Sequence, residues 1–277
     1  MDFQLTDEQR LIQDTVRSFV DERVLPVAVQ NDIEHRLDLD LIEGLAELGI
    51  LGIVIPEEYG GAGLDYVAEA LACEEIERGE AAFRTLISVH VGLNSLSLLR
   101  YGTEEQKQRW LVPQARGEKL ACFGLTEPAA GSDVASMRTT ARREGDVYVL
   151  NGQKNWISYA SVADHALVFA KTDPAGGHKG ISAFVLEQGM QGLSARDTEH
   201  KLGVWAGSTG ELFFALIAEV GPVRATVITY VNPAVAAVVG VLLLNEHLTA
   251  GMVLGFALVL AGCVLATART PEAVAEP

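Results

Sequence analysis

Residues 123 to 133 read FGLTEPAAGSD, and the fold of the chain turns on them. From Leu120 the sequence shifts to short apolar runs bounded by turn residues, so Phe123-Gly124-Leu125 reads as the end of a strand. Thr126 to Asp133 then forms a Pro- and Gly-containing turn with clustered hydroxyls and exposed backbone amides, a shape suited to an anionic or heteroaromatic ligand. Taken alone, the turn does not name that ligand.

Working outward, the next informative stretch is Lys154-Asn155-Trp156-Ile157-Ser158. Trp156 and Ser158 lie two apart and so share one face of a strand. An aromatic wall beside a hydroxyl donor suits a planar cofactor; a core tryptophan is the alternative. Around these stretches lie further strand and turn signals: Val147 to Leu150, the turn signals Glu144-Gly145-Asp146 and Asn151-Gly152, His165 to Lys171, and Ile181 to Leu186. Upstream the period is helical. Thr6 to Gln9 is a capping box that opens an amphipathic helix, and further helices are expected over 41–48, 67–78, 86–100 and 104–114. The chain therefore reads as α+β, with an all-helical N-terminal domain over 1–118 followed by an antiparallel β-sheet or barrel domain over 119–214.

Composition narrows the function. The formal net charge is −16, which opposes binding to phosphate backbones, so nucleic acid is excluded as a partner. From Ala215 onward two bases stand against four acids, leaving −14 on residues 1–214. Three distant cysteines, Cys73, Cys122 and Cys263, fit a reducing cytoplasmic compartment, and the start has no secretory pattern. The six histidines show no paired ligand spacing, so no metal site is expected.

The stretches GLTEPAAGSDVAS (124–136) and NGQKNWIS (151–158), with LTDEQ, GILGIVIPEEYGGAG, TEEQKQRWL and KLGVWAGSTGELFF, resemble the acyl-CoA dehydrogenase family across about residues 2–214. The resemblance implies an FAD enzyme of fatty acid metabolism that introduces an α,β double bond into acyl-CoA thioesters. It implies that Phe123, Leu125, Thr126, Trp156, Ile157 and Ser158 bind the flavin. Thr126 would hydrogen-bond the polar edge of the ring, Trp156 would lie against it, and Ser158 would offer its hydroxyl near N5. Ser132 would contact the CoA portion of the substrate, and electron-transferring flavoprotein would be the oxidant. Glu127 and Asp133 are read as shaping the turn rather than as catalytic groups. In this family the α-proton is taken by a glutamate from a third domain, a four-helix bundle that also builds the oligomer. Residues 215–277 do not match that bundle, so no catalytic base is assigned and a homo-oligomer is not expected.

The tail instead carries two runs without charge, 225–244 and 250–267, each long enough or nearly so to span a bilayer. They are expected to form a transmembrane hairpin whose ends, near Arg224 and Arg269, face the cytoplasm; a buried helix pair in a soluble core is the alternative. This segment resembles the last two helices of EamA-type drug/metabolite transporters. Three readings follow: an incomplete dehydrogenase tethered to the inner face of the cytoplasmic membrane, a membrane-anchored interaction module, or a non-native hybrid joined near 214/215.

Overall fold

The computed structural model describes residues 4–199, 201–217 and 222–223. The expected hairpin over 225–267, with Cys263, His200 and His247, lies outside the described residues.

The expected capping box is formed. Thr6 Oγ1 accepts from the Gln9 N–H at 3.1 Å, and Gln9 Oε1 accepts from the Thr6 N–H at 3.0 Å. Helix α1 (Asp7–Phe19) starts there and passes through a wider turn, Val20–Val24, into α2 (Leu25–Glu34). The wide turn lies just ahead of Pro26, whose missing N–H and bulky ring disturb the regular ladder. The same device recurs before Pro113, where the turn Lys107–Leu111 joins α7 (Glu104–Gln106) to α8 (Val112–Ala115).

Helix α3 (Leu39–Glu47) ends before Gly49, which takes the left-handed conformation, and α4 spans Tyr66–Gly79. The expected helix over 86–100 begins earlier, as α5 (Ala81–Ile87), and continues through Ser88–Ser95 into α6 (Leu96–Tyr101). Its start is set by the Glu80 carboxylate, which caps the Ala82 N–H at 3.2 Å, a signal hidden by the weak periodicity of residues 81–85. Among the described residues this helix alone is long and apolar enough to cross a membrane, yet half of its most apolar window is buried inside the protein. Val16, Phe19, Leu45, Ile50, Ile76, Phe83, Leu86 and Val91 make the core of the helical layer.

The β domain contains β1 (Ala121–Gly124), β2 (Thr140–Glu144), β3 (Val147–Ser158), β4 (His165–Lys171), β5 (Ile181–Glu187), β6 (Leu193–Asp197), β7 (Thr209–Ile217) and β8 (Pro222–Val223). They form one sheet in the order β6-β7-β3-β2-β4-β5-β8, with β1 paired to β4 off this path. The sheet is mixed rather than purely antiparallel: β1 runs parallel to β4, and β2 meets β4 in parallel at Thr140 and Lys171.

A second difference concerns Asn151-Gly152. Gly145 does turn the β2–β3 hairpin, with φ 63°, but Asn151 and Gly152 lie inside β3 at a break in its register with β7. Gly152 is needed there for closeness rather than for a turn. A Cβ would sit 2.4 Å from Thr139 Oγ1 and 2.7 Å from its Cα.

The two layers meet at a seam where Ile55, Leu98 and Leu111 pack on Leu125, Leu167, Phe169 and Val185. A buried polar cluster crosses it. Ala121 N–H donates to His90 Nδ1 at 3.1 Å, which leaves Nε2–H to donate to the Gln114 carbonyl at 3.0 Å. The Gln114 side chain in turn meets His165 Nε2 and accepts from the Ser95 hydroxyl at 2.8 Å. Tyr159 enters the helical core, and its hydroxyl donates to the Ala82 carbonyl.

Candidate functional site

The quoted turn and the Lys154–Ser158 stretch, far apart in sequence, are fastened side by side. The Asn155 N–H donates to the Thr126 carbonyl at 2.9 Å. Lys154 Nζ donates to the Leu125 carbonyl at 3.1 Å and to Glu127 Oε1 at 2.6 Å. Glu127 accepts two further bonds, from the Arg138 N–H at 2.5 Å and the Thr139 N–H at 3.0 Å. Its backbone also closes the turn with Ala130, N–H to carbonyl in both directions, at 2.9 and 3.1 Å.

These contacts decide what Glu127 is for. Burial disfavours its charge, but the Arg138 N–H, the Lys154 ammonium and the Thr139 N–H outweigh that and hold the carboxyl below the ordinary carboxylate range. Burial pulls Lys154 below the ordinary lysine range, and Glu127 opposes the loss of its proton. Three donors on the carboxylate and two acceptors on the ammonium make the pair ionic. A carboxylate committed in this way is a turn-builder and a poor proton acceptor, in line with its reading from sequence. Asp133 is exposed, and its carbonyl accepts from the Ser136 N–H and hydroxyl.

Next to the pair the backbone is strained. Between Lys154 and Ile157, β3 carries one residue more than β7, a bulge that puts Trp156 at φ 61°. A left-handed tryptophan costs about 1–2 kcal/mol. The residue is nevertheless 63% exposed. It is thus both strained and largely unpacked. Trp156, exposed, and Ser158, half-buried, flank the buried Ile157, and the bulge between Lys154 and Ile157 interrupts the simple alternation on which the shared face was expected. Among the described residues, the Thr126, Ser132 and Ser158 hydroxyls have no protein hydrogen-bond partner. The Asn155 Nδ2–H donates to Glu211 at 2.9 Å, while its buried Oδ1 has none.

The structure fastens Thr126 to the Lys154–Ser158 stretch through the Asn155 N–H, with Trp156 the next residue along. Ser132 lies exposed further along the turn. The other three named side chains point elsewhere: Phe123 and Leu125 join the seam, with the Phe123 and Phe169 ring centroids 5.1 Å apart, and Ile157 packs in the β core. Contact from Leu125 and Ile157 to a ligand would fall to their backbones. Sequence reading missed Lys154 as a structural partner of Glu127, because its local signal is only a lysine in a strand. Among the described residues no cluster of metal-ligating side chains occurs.

Comparison with known proteins adds context to this geometry. A family model described as "Acyl-CoA dehydrogenase, N-terminal domain" matches residues 6–118, and one described as "Acyl-CoA dehydrogenase, middle domain" matches residues 122–216. A third, for the EamA-like transporter family, matches residues 203–268. The chain is 44% identical over 214 residues to a short-chain-specific acyl-CoA dehydrogenase of Clostridium acetobutylicum, covering 77% of this chain and 56% of that one. It resembles the solved glutaryl-CoA dehydrogenase–glutaryl-CoA complex with TM-score 0.78 and 39% identity, over 82% of this chain and 58% of that chain. It also resembles a glutaryl-CoA dehydrogenase from Mycobacterium smegmatis in complex with FADH2, with TM-score 0.75 and 39% identity, over 79% and 55%. The chain spans about half the length of the curated relatives it matches.

Proposed function

Residues 6–216 belong to the acyl-CoA dehydrogenase family, and on that premise we propose that the Thr126–Trp156–Ser158 face binds the flavin of FAD beside an acyl-CoA thioester. The observation that carries the reading is Trp156, strained and exposed beside the unspent hydroxyls of Thr126 and Ser158. A planar ring laid on that indole covers the exposed surface and gives the hydroxyls polar partners. Bound there, the flavin supplies the hydride acceptor for α,β-dehydrogenation.

The residues of this chain do the holding. Thr126, Trp156 and Ser158 would hold the flavin ring, the hydroxyls as donors and the indole as a wall, and Ser132 would contact the CoA portion. Proton removal has no assigned base: Glu127 is committed to the turn, and Glu219, Glu246, Glu272 and Glu276 fall beyond the stretch matched by the dehydrogenase models. The helical domain is taken as 1–118 and the flavin-binding domain as 119–214. Electron-transferring flavoprotein is the proposed oxidant and the cytoplasm the proposed location. In the test, the purified chain is titrated with FAD and followed by visible absorbance. Saturable binding, weakened tenfold or more in Trp156→Ala, supports the reading; a folded chain that takes up no FAD defeats it.

A second reading rests on the EamA-like match over 203–268, in which the tail tethers the flavin-binding part to the inner face of the cytoplasmic membrane as an interaction module. Carbonate extraction of membranes separates the two readings, since a tethered chain stays in the pellet.

A further inference from the structure

We infer that Lys154 is a positioning residue of the flavin face, acting through Glu127 and the Leu125 carbonyl; the inference rests on the proposed flavin site. The side chain is fully buried, at 0% exposure, an unusual setting for an ammonium. Its partner Glu127 is buried at 6%. Such a pair gives weak general stabilisation, because desolvating two charges offsets most of their attraction. Apolar residues of the same size would serve packing as well. What the pair adds is direction.

Lys154 occupies the Leu125 carbonyl and Glu127, and the next residue of β3 occupies the Thr126 carbonyl. The carbonyls of Leu125 and Thr126 and the side chain of Glu127 are therefore tied to β3, with Thr126 held in the middle. Glu127 carries the constraint onward to Arg138 and Thr139, where the turn re-enters the sheet. On the other side of Lys154 the bulge begins that turns Trp156 outward. One buried nitrogen thus fixes both halves of the face. Its members, the half-buried Thr126 and the exposed Trp156, belong to none of the buried core clusters.

The test uses the full chain without flavin. The single variant Lys154→Met strands a buried carboxylate and is expected to fold poorly, so the deciding protein is the charge-balanced double variant Glu127→Gln/Lys154→Met. Hydrogen exchange by mass spectrometry should show peptides covering 124–130 and 153–158 exchanging about tenfold faster or more than in the parent, with β4 and β5 unchanged. A flavin titration of the same protein should show binding weakened by about tenfold or more, with an altered visible spectrum of the bound flavin. Parent-like exchange in the two site peptides overturns the inference. So does a uniform rise that includes β4 and β5, which would assign the pair to general stability. If the parent itself takes up no FAD, the flavin reading fails, and the exchange comparison still decides whether Lys154 holds the turn.

Discussion

Trp156 stands at a backbone angle that costs a tryptophan energy, with most of the residue in solvent. Glycine adopts that angle freely, so Trp156→Gly should raise stability by roughly 1 kcal/mol while weakening FAD binding at least tenfold. Urea unfolding together with flavin titration checks this, and a variant that loses stability would show that the ring is packed after all. Gly152 makes the opposite case. Gly152→Ala forces a Cβ to within 2.4 Å of Thr139 Oγ1, and should cost about 2–3 kcal/mol by the same unfolding measurement. At this scale the turn was legible in the sequence, because proline, glycine and clustered hydroxyls have local signatures, while the proposed roles of Thr126, Trp156 and Ser158 come from the family resemblance. Lys154 was not. Its partner is 27 positions away, and nothing in the intervening sequence shows that the two side chains meet.

At the scale of elements, helix starts were legible where a capping box opens them, as at Thr6 and Thr103, but not where Glu80 caps α5. The mixed character of the sheet was not, because local alternation gives a strand its faces but not its direction relative to a distant neighbour. The seam between helices and sheet also carries a pH dependence. His90 and His165 are pushed down to about 4, chiefly by burial, so both are neutral in the native protein at neutral pH. In the unfolded chain each takes up a proton near pH 6.5. The unfolded state therefore binds more protons below that pH. The stability is complete above about 6.5 and drains away as pH falls toward 4, by up to roughly 3 kcal/mol per histidine. Urea midpoints measured from pH 8 down to 4.5 should fall mainly below 6.5; a flat profile would contradict this account of the seam. The lowered carboxyl of Glu127 adds a loss at more acid pH, below the ordinary glutamate range.

For the whole molecule, the change of character near residue 214 was the plainest feature of the sequence, since −14 of the −16 charges precede it. The dehydrogenase and EamA-like matches overlap over 203–216. Within that overlap, residues 209–216 belong to β7, bonded to β3 on one side and β6 on the other, so this part of the overlap is built into the sheet. If the runs 225–244 and 250–267 insert in a bilayer, the expressed chain should resist carbonate extraction, whereas release to the supernatant would argue against the tether.

The proposed reading is that the Thr126 and Trp156 region takes up a flavin, with no base for the substrate proton assigned among the described residues. The most direct measurement is anaerobic mixing of the FAD-loaded chain with excess butyryl-CoA, followed by visible absorbance of the flavin. The account predicts a flavin band that persists at enzymatic times; rapid bleaching would show that a base is present and contradict it.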